Sequence, residues 1–116
     1  MAYVEPYDAL DEKTKDISRA ITSLKEEIEA VDWYNQRVNT CKDQELKEVM
    51  AHNRDEEIEH ATMHLEWLRR NMEGWDKNLK TFLFRSGSLL EAETDQKADT
   101  SLSPSLGIGT LKSEQA

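Results

Sequence analysis

From Thr14 to Val38 the chain places Ile17, Ala20, Ile21, Leu24, Ile28, Val31 and Val38 along one side of a helix, and no Gly or Pro interrupts the run. Steps of three and four residues suit an amphipathic helix and not a strand, whose side chains alternate between two faces. A second stripe follows, with Leu46, Met50, Ala61 and Leu68 at the same kind of spacing as far as Asn71. Between the stripes lies the polar stretch NTCKD, in which Asp43 is placed to cap the second helix and Glu45 falls in its first turn. A connection of about five residues makes the two helices antiparallel neighbours.

The expected fold class is all-α: an antiparallel two-helix hairpin plus a short third helix. Gly74 weakens the continuation of helix two, and Trp75, Leu79, Phe82 and Leu83 predict the third helix, ended by the Ser-Gly-Ser at 86–88. Residues 1–10 read as a loose arm with Pro6 inside it, and residues 1–90 as one helical domain. Residues 91–104, rich in Ser, Thr, Asp and Ala and carrying Pro104, predict a disordered linker. Residues 105–116 regain Leu106, Ile108 and Leu111, which a linker does not need.

With 37% hydrophobic and 34% charged residues in 116, the core of a single chain is small, and oligomerisation is expected on stability grounds. The net charge of −9 argues against nucleic acid, which draws its affinity from clustered Lys and Arg, and it suits cations. A single cysteine, Cys41, excludes an intramolecular disulfide and fits a reducing compartment. The start, MAYVEPYDALDEK, has neither the basic nor the apolar region of a secretory signal, and no run approaches a membrane span. A soluble, cytoplasmic protein is the expectation.

The stretch RDEEIEHATMHLEW at 54–67 is crowded with acids and histidines. Placed on a helical wheel, Asp55, Glu59 and Glu66 point away from the stripe and Glu56 falls on its shoulder, whereas Glu57 falls near its middle. His60 lies about 60° to one side of Glu57, still on the inward arc, with His64 between them in angle. On helix one Glu27 shares the arc of Ala20, Leu24 and Val31, while Glu26 and Glu29 face outward. An inward carboxylate requires a cation, a hydrogen-bond donor or water. Taken singly, each of these residues fits a polar layer that sets helix register. As a set, one Glu on a first helix and Glu-x-x-His on a second is the ligand grouping of carboxylate-bridged di-iron bundles. Carboxylates with a few imidazoles suit iron or manganese better than softer metals. Such a bundle needs four helices and this chain has two long ones, so a two-fold dimer would supply the missing half, with Glu27, Glu57 and His60 from each copy. Trp33 falls nearly opposite the stripe and is a sign of a second protein interface. Met63 and Trp67 read as packing residues, and Cys41 needs no function.

The segments EEIEAVDWYNQRV at 26–38, HNRDEEIEHATMHLEWLRR at 52–70 and SLGIGTLK at 105–112 resemble the encapsulated ferritin family. The resemblance implies half of a ferritin-like four-helix bundle, completed by dimerisation and assembled into an annular decamer. It implies a ferroxidase that oxidises Fe(II) with O2 at an intersubunit di-iron centre and delivers iron for storage inside an encapsulin nanocompartment. Carried onto the matching positions, Glu27, Glu57 and His60 would be iron ligands with Glu57 bridging. Tyr34 would lie close to the metals, Trp33 near the site or its subunit contacts, and Glu26 and Glu29 along an entry route. Residues 105–116 resemble a cargo-loading peptide, in which 105–112 contact the shell, with Thr110 where Ser is frequent. His64 is not part of the ligand set that the resemblance carries over. The rival expectations are a non-enzymatic iron-binding module and a structural helical oligomer whose inward polar residues only set register.

Overall fold

The structure, a computed structural model, describes residues 3–102. Every regular element among them is helical: a one-turn 3-10 segment at Tyr7–Ala9, then α1 (Glu12–Thr40), α2 (Gln44–Asn71), α3 (Trp75–Phe82) and α4 (Leu89–Leu102). By internal packing the chain divides into two compact units, Met1–Asn71 and Met72–Ala116. The first holds the expected hairpin. The short third helix belongs to the second.

α1 begins at Glu12, two residues ahead of the expected Thr14, because Asp11 caps it, its Oδ1 accepting the Thr14 backbone N–H at 2.7 Å. Hydrogen bonding by Thr14, through its side chain first and its backbone N–H second, holds the Asp11 carboxyl below its ordinary pKa. Asp43 caps α2, accepting from the Leu46 N–H at 2.9 Å, as its place in NTCKD predicts. The connection is tighter than expected: only Cys41, Lys42 and Asp43 lie between the helices. Three cross-helix contacts demonstrate the antiparallel register. Lys13 Nζ donates to Asn71 Oδ1 at 2.6 Å, Glu27 meets His64, and Arg54 Nη1 donates to Asn35 Oδ1 at 3.1 Å. As the position on α1 rises, that of its partner on α2 falls. Lys13 also lies 5.4 Å from the centre of the Trp67 ring, which helps close the open end of the hairpin.

Two helices cannot enclose each other, and their apolar stripes are only partly covered. Ala20 and Leu68 are the buried apolar side chains of the hairpin, Leu68 completely so. Ile17, Leu24, Val31, Val38, Met50 and Ala61 are half-buried. Ile21, Ile28 and Leu46, expected on the packed stripe, are exposed, as are Val49, Ile58 and Met63. Met63 is thus not a packing residue within one chain, while Trp67 is half-buried as expected. Apolar surface of this extent on a hairpin favours association with further helices.

Near the end of α2, Glu66 departs from the wheel expectation of a purely solvated acid. Its carboxylate accepts from Arg69 Nε at 2.7 Å, from Arg69 Nη2 at 2.8 Å and from Arg70 Nε at 2.6 Å. The Arg69 bonds, then those of Arg70, pull its pKa down from 4.5 to about 2. Because the folded value is the lower one, the stability this fork contributes is complete above pH 4.5 and is lost as pH falls toward about 2. Thermal unfolding of wild type and Glu66→Gln compared across that range should show the wild type's advantage shrinking with acidification. The effect should be small and weaker in high salt, since the pair is open to solvent.

In the second unit, α3 and α4 face each other through Gln96, whose Nε2 donates to Thr81 Oγ1 at 2.6 Å. Ala92 is buried and Asp76, also buried, pairs with Lys80 at 3.0 Å. Gly87 takes φ 93°, a backbone region open to glycine, and Ser88 Oγ accepts from the Glu91 N–H at 3.3 Å to start α4. The helix over Leu89–Leu102 corrects the expectation of a disordered linker over most of 91–104. Residues 105–116, expected to form a cargo-loading peptide, lie outside the described residues. No helix among the described residues is long and apolar enough to cross a membrane.

Candidate metal centre

The inward-facing polar residues of the hairpin lie about midway along it, where α1 and α2 run without interruption. Glu57 and His60 are one turn apart on α2, and the i, i+3 spacing brings Glu57 Oε1 within 3.4 Å of His60 Nδ1. Both remain reachable, with 26% of the Glu57 side chain and 43% of the His60 side chain exposed. The pair therefore presents a carboxylate and an imidazole side by side at the edge of the helix contact.

On α1, Glu27 is more enclosed, with 14% of its side chain exposed. Its Oε1 lies 2.6 Å from His64 Nδ1, across the helix interface. The structure thus joins Glu27 to His64 and Glu57 to His60. Among the described residues, no group of three or more His, Cys, Asp or Glu side chains is arranged within the chain to hold a metal ion. The His64 partnership is the feature that the sequence reading missed. Its wheel angle, between Glu57 and His60, was the available signal.

The remaining candidates differ in exposure. Glu26 and Glu29 are exposed. Glu56 is tied within its own helix to His52, at 2.7 Å. Tyr34 is half-buried, with the Arg37 guanidinium 5.4 Å from its ring centre. Trp33 is 50% exposed, as its place opposite the stripe predicts, and shares an open surface depression with Gln36 and Arg37.

Chemically, Glu27, Glu57 and His60 offer carboxylate oxygens and an imidazole nitrogen without sulfur. Such a set fits Fe(II), which accepts oxygen and imidazole donors. Three such side chains are too few donors for a pair of ions.

The family described as EncFtn-like matches this chain over residues 2–86. A ferritin-like protein of Thermotoga maritima is 56% identical over 93 residues, covering 80% of this chain and 82% of that protein. An encapsulated ferritin-like protein of Rhodospirillum rubrum is 47% identical over an alignment of 124 positions, covering 97% of this chain and 89% of the relative. Among solved structures, a crystal structure of a Nitrosomonas europaea protein superposes with a TM-score of 0.72 at 59% identity, covering 74% of this chain and 94% of that one.

Proposed function

This chain belongs to the EncFtn-like family, and from that premise we propose that it is a ferroxidase that binds Fe(II) between two copies of itself. What supports the proposal, beside the family match, is where three side chains lie. Glu27 on α1 and the Glu57–His60 pair on α2 occupy the inner region of one hairpin, in a chain that leaves Ile21, Ile28, Val49 and Ile58 exposed. A two-fold partner presenting the same residues would cover apolar surface and double the donor set, giving the half-ferritin its other two helices.

In this reading Fe(II) and O2 are the substrates. Each of two bound Fe(II) ions gives up one electron, O2 takes both electrons with two protons from water to leave as hydrogen peroxide, and Fe(III) leaves for mineralisation. The chain's own contribution is electrostatic and positional. Glu27 and Glu57 stabilise the higher charge of the ferric product, with Glu57 bridging the two ions, and His60 completes the set. Tyr34 stands close to the ions, and the exposed Glu26 and Glu29 draw cations toward them. The site assembles in an annular decamer housed in an encapsulin shell within the cytoplasm, with residues 105–112 as the segment that docks on the shell. The name of the Rhodospirillum rubrum relative, an encapsulated ferritin-like protein, supports this setting.

Loading the protein anaerobically with Fe(II) and then admitting air tests the proposal. A ferroxidase gives rapid ferric absorbance. A non-enzymatic iron-binding module or a structural oligomer gives only the slow background of free iron, and that result would refute the enzymatic reading.

A further inference from the structure

Glu27 is the more enclosed of the two inward carboxylates, 14% exposed against 26% for Glu57, and a carboxylate so placed needs a donor. The structure supplies one. His64 Nδ1 lies 2.6 Å from Glu27 Oε1 and reaches it from the opposite helix. We propose that His64 is a positioning residue that holds Glu27 in the orientation a divalent cation requires, an inference that rests on the metal site proposed above.

An ionised carboxylate only accepts hydrogen bonds, so the hydrogen between the two groups is carried by Nδ1. A hydrogen bond to an ionised acceptor is stronger than one between neutral groups. One oxygen of Glu27 is then anchored, while Oε2 and the remaining lone pair of Oε1 stay available to a cation. A free Glu side chain has to fix several torsions when it binds a metal; one already held by a neighbour has fewer left to fix. The bond also runs between helices, unlike the one-turn contact of Glu57 with His60. It therefore sets Glu27, the only ligand candidate on α1 facing inward, relative to the two on α2. His64 stands one turn beyond His60 on α2, close enough to the centre to act on it through Glu27. Hydrogen-bond partners of metal-binding side chains typically change metal affinity about 10- to 100-fold when removed.

Equilibrium binding of Co(II) to the assembled full-length protein tests this, with Co(II) alone as the probe and its visible spectrum as a report on the donor atoms. His64→Ala should weaken binding about tenfold or more. His64→Gln, whose side-chain amide can donate to the same carboxylate, should recover most of that loss with the wild-type spectrum. On a Glu27→Ala background, His64→Ala should cause no further loss, since its effect passes through Glu27. Binding by His64→Ala equal to wild type would overturn the inference. So would a Gln variant that fails to recover and has an altered spectrum, or a further tenfold loss on the Glu27→Ala background, because either makes His64 an independent ligand. If Glu27→Ala alone binds Co(II) as tightly as wild type, the metal site itself is refuted along with the inference.

Discussion

Replacing Glu57 with alanine is expected to slow Fe(II) oxidation at least about a hundredfold, to the background rate, a loss of about 3 kcal/mol of barrier lowering. In the proposed site Glu57 is the bridging residue, so in a two-fold assembly one substitution removes a carboxylate from both sides at once. The loss should appear in the rapid phase of ferric absorbance after air is admitted. Glu27→Ala should behave similarly, since it removes the one inward carboxylate that α1 provides. Glu59→Ala is the control: Glu59 lies on the same helix two residues away but is exposed, and its removal should leave the rapid phase intact. Circular dichroism should show all three variants to be helical, because none of these side chains is among the buried core residues of the hairpin. An undiminished rapid phase in Glu57→Ala would refute its role.

Deleting residues 105–116 is expected to abolish co-purification with a co-expressed encapsulin shell while leaving the rapid oxidation phase unchanged. In the sequence, Leu106, Ile108 and Leu111 alternate with Gly107 and Gly109, a pattern suited to an extended segment with apolar side chains in pockets and a backbone that can approach closely. Affinity from such a segment is local to it, so removing it should eliminate loading without disturbing a site built on α1 and α2. Loading by the truncated protein at the wild-type level would contradict the docking assignment. Loss of oxidation on truncation would contradict the separation of the two functions.

How far the sequence could be read depended on whether apolar periodicity was present. α1 and α2 were legible because their stripes repeat over many turns, and Asp43 was legible because an acid before a helical run has a local role as a cap. The start of α1 was less so, since Asp11 and Glu12 precede the first stripe residue. α4 was missed for a related reason. LLEAETDQKADTSL carries no apolar stripe, yet Glu, Ala, Gln and Lys favour helix, Ser88 caps its start and Lys97 bonds Glu93 at 2.8 Å one turn away.

The candidate site was legible in angle but not in height. A helical wheel places Glu27, Glu57, His60 and His64 on inward arcs, and it contains no information on which residue of α1 stands level with which residue of α2. That register follows from the short Cys41–Lys42–Asp43 connection and from the contacts at the far end, Lys13 with Asn71. It brings Glu27 level with His64, a pairing invisible to rotation alone. The exposure of Ile21, Ile28 and Leu46 has a different origin. The stripes were read correctly as apolar, but a single hairpin has too few helices to cover them.

The central claim is that the metal site is shared between two copies, and sedimentation of the protein with and without anaerobic Fe(II) tests it most directly. A ligand bound only by the associated form stabilises it by mass action, by about 2.7 kcal/mol at a hundred times its dissociation constant. Fe(II) should therefore shift wild-type protein toward larger species at protein concentrations where the metal-free form is partly dissociated. Glu57→Ala should sediment alike with and without Fe(II). A wild-type protein that binds Fe(II) as a single chain, with no change in its state of association, would contradict the account.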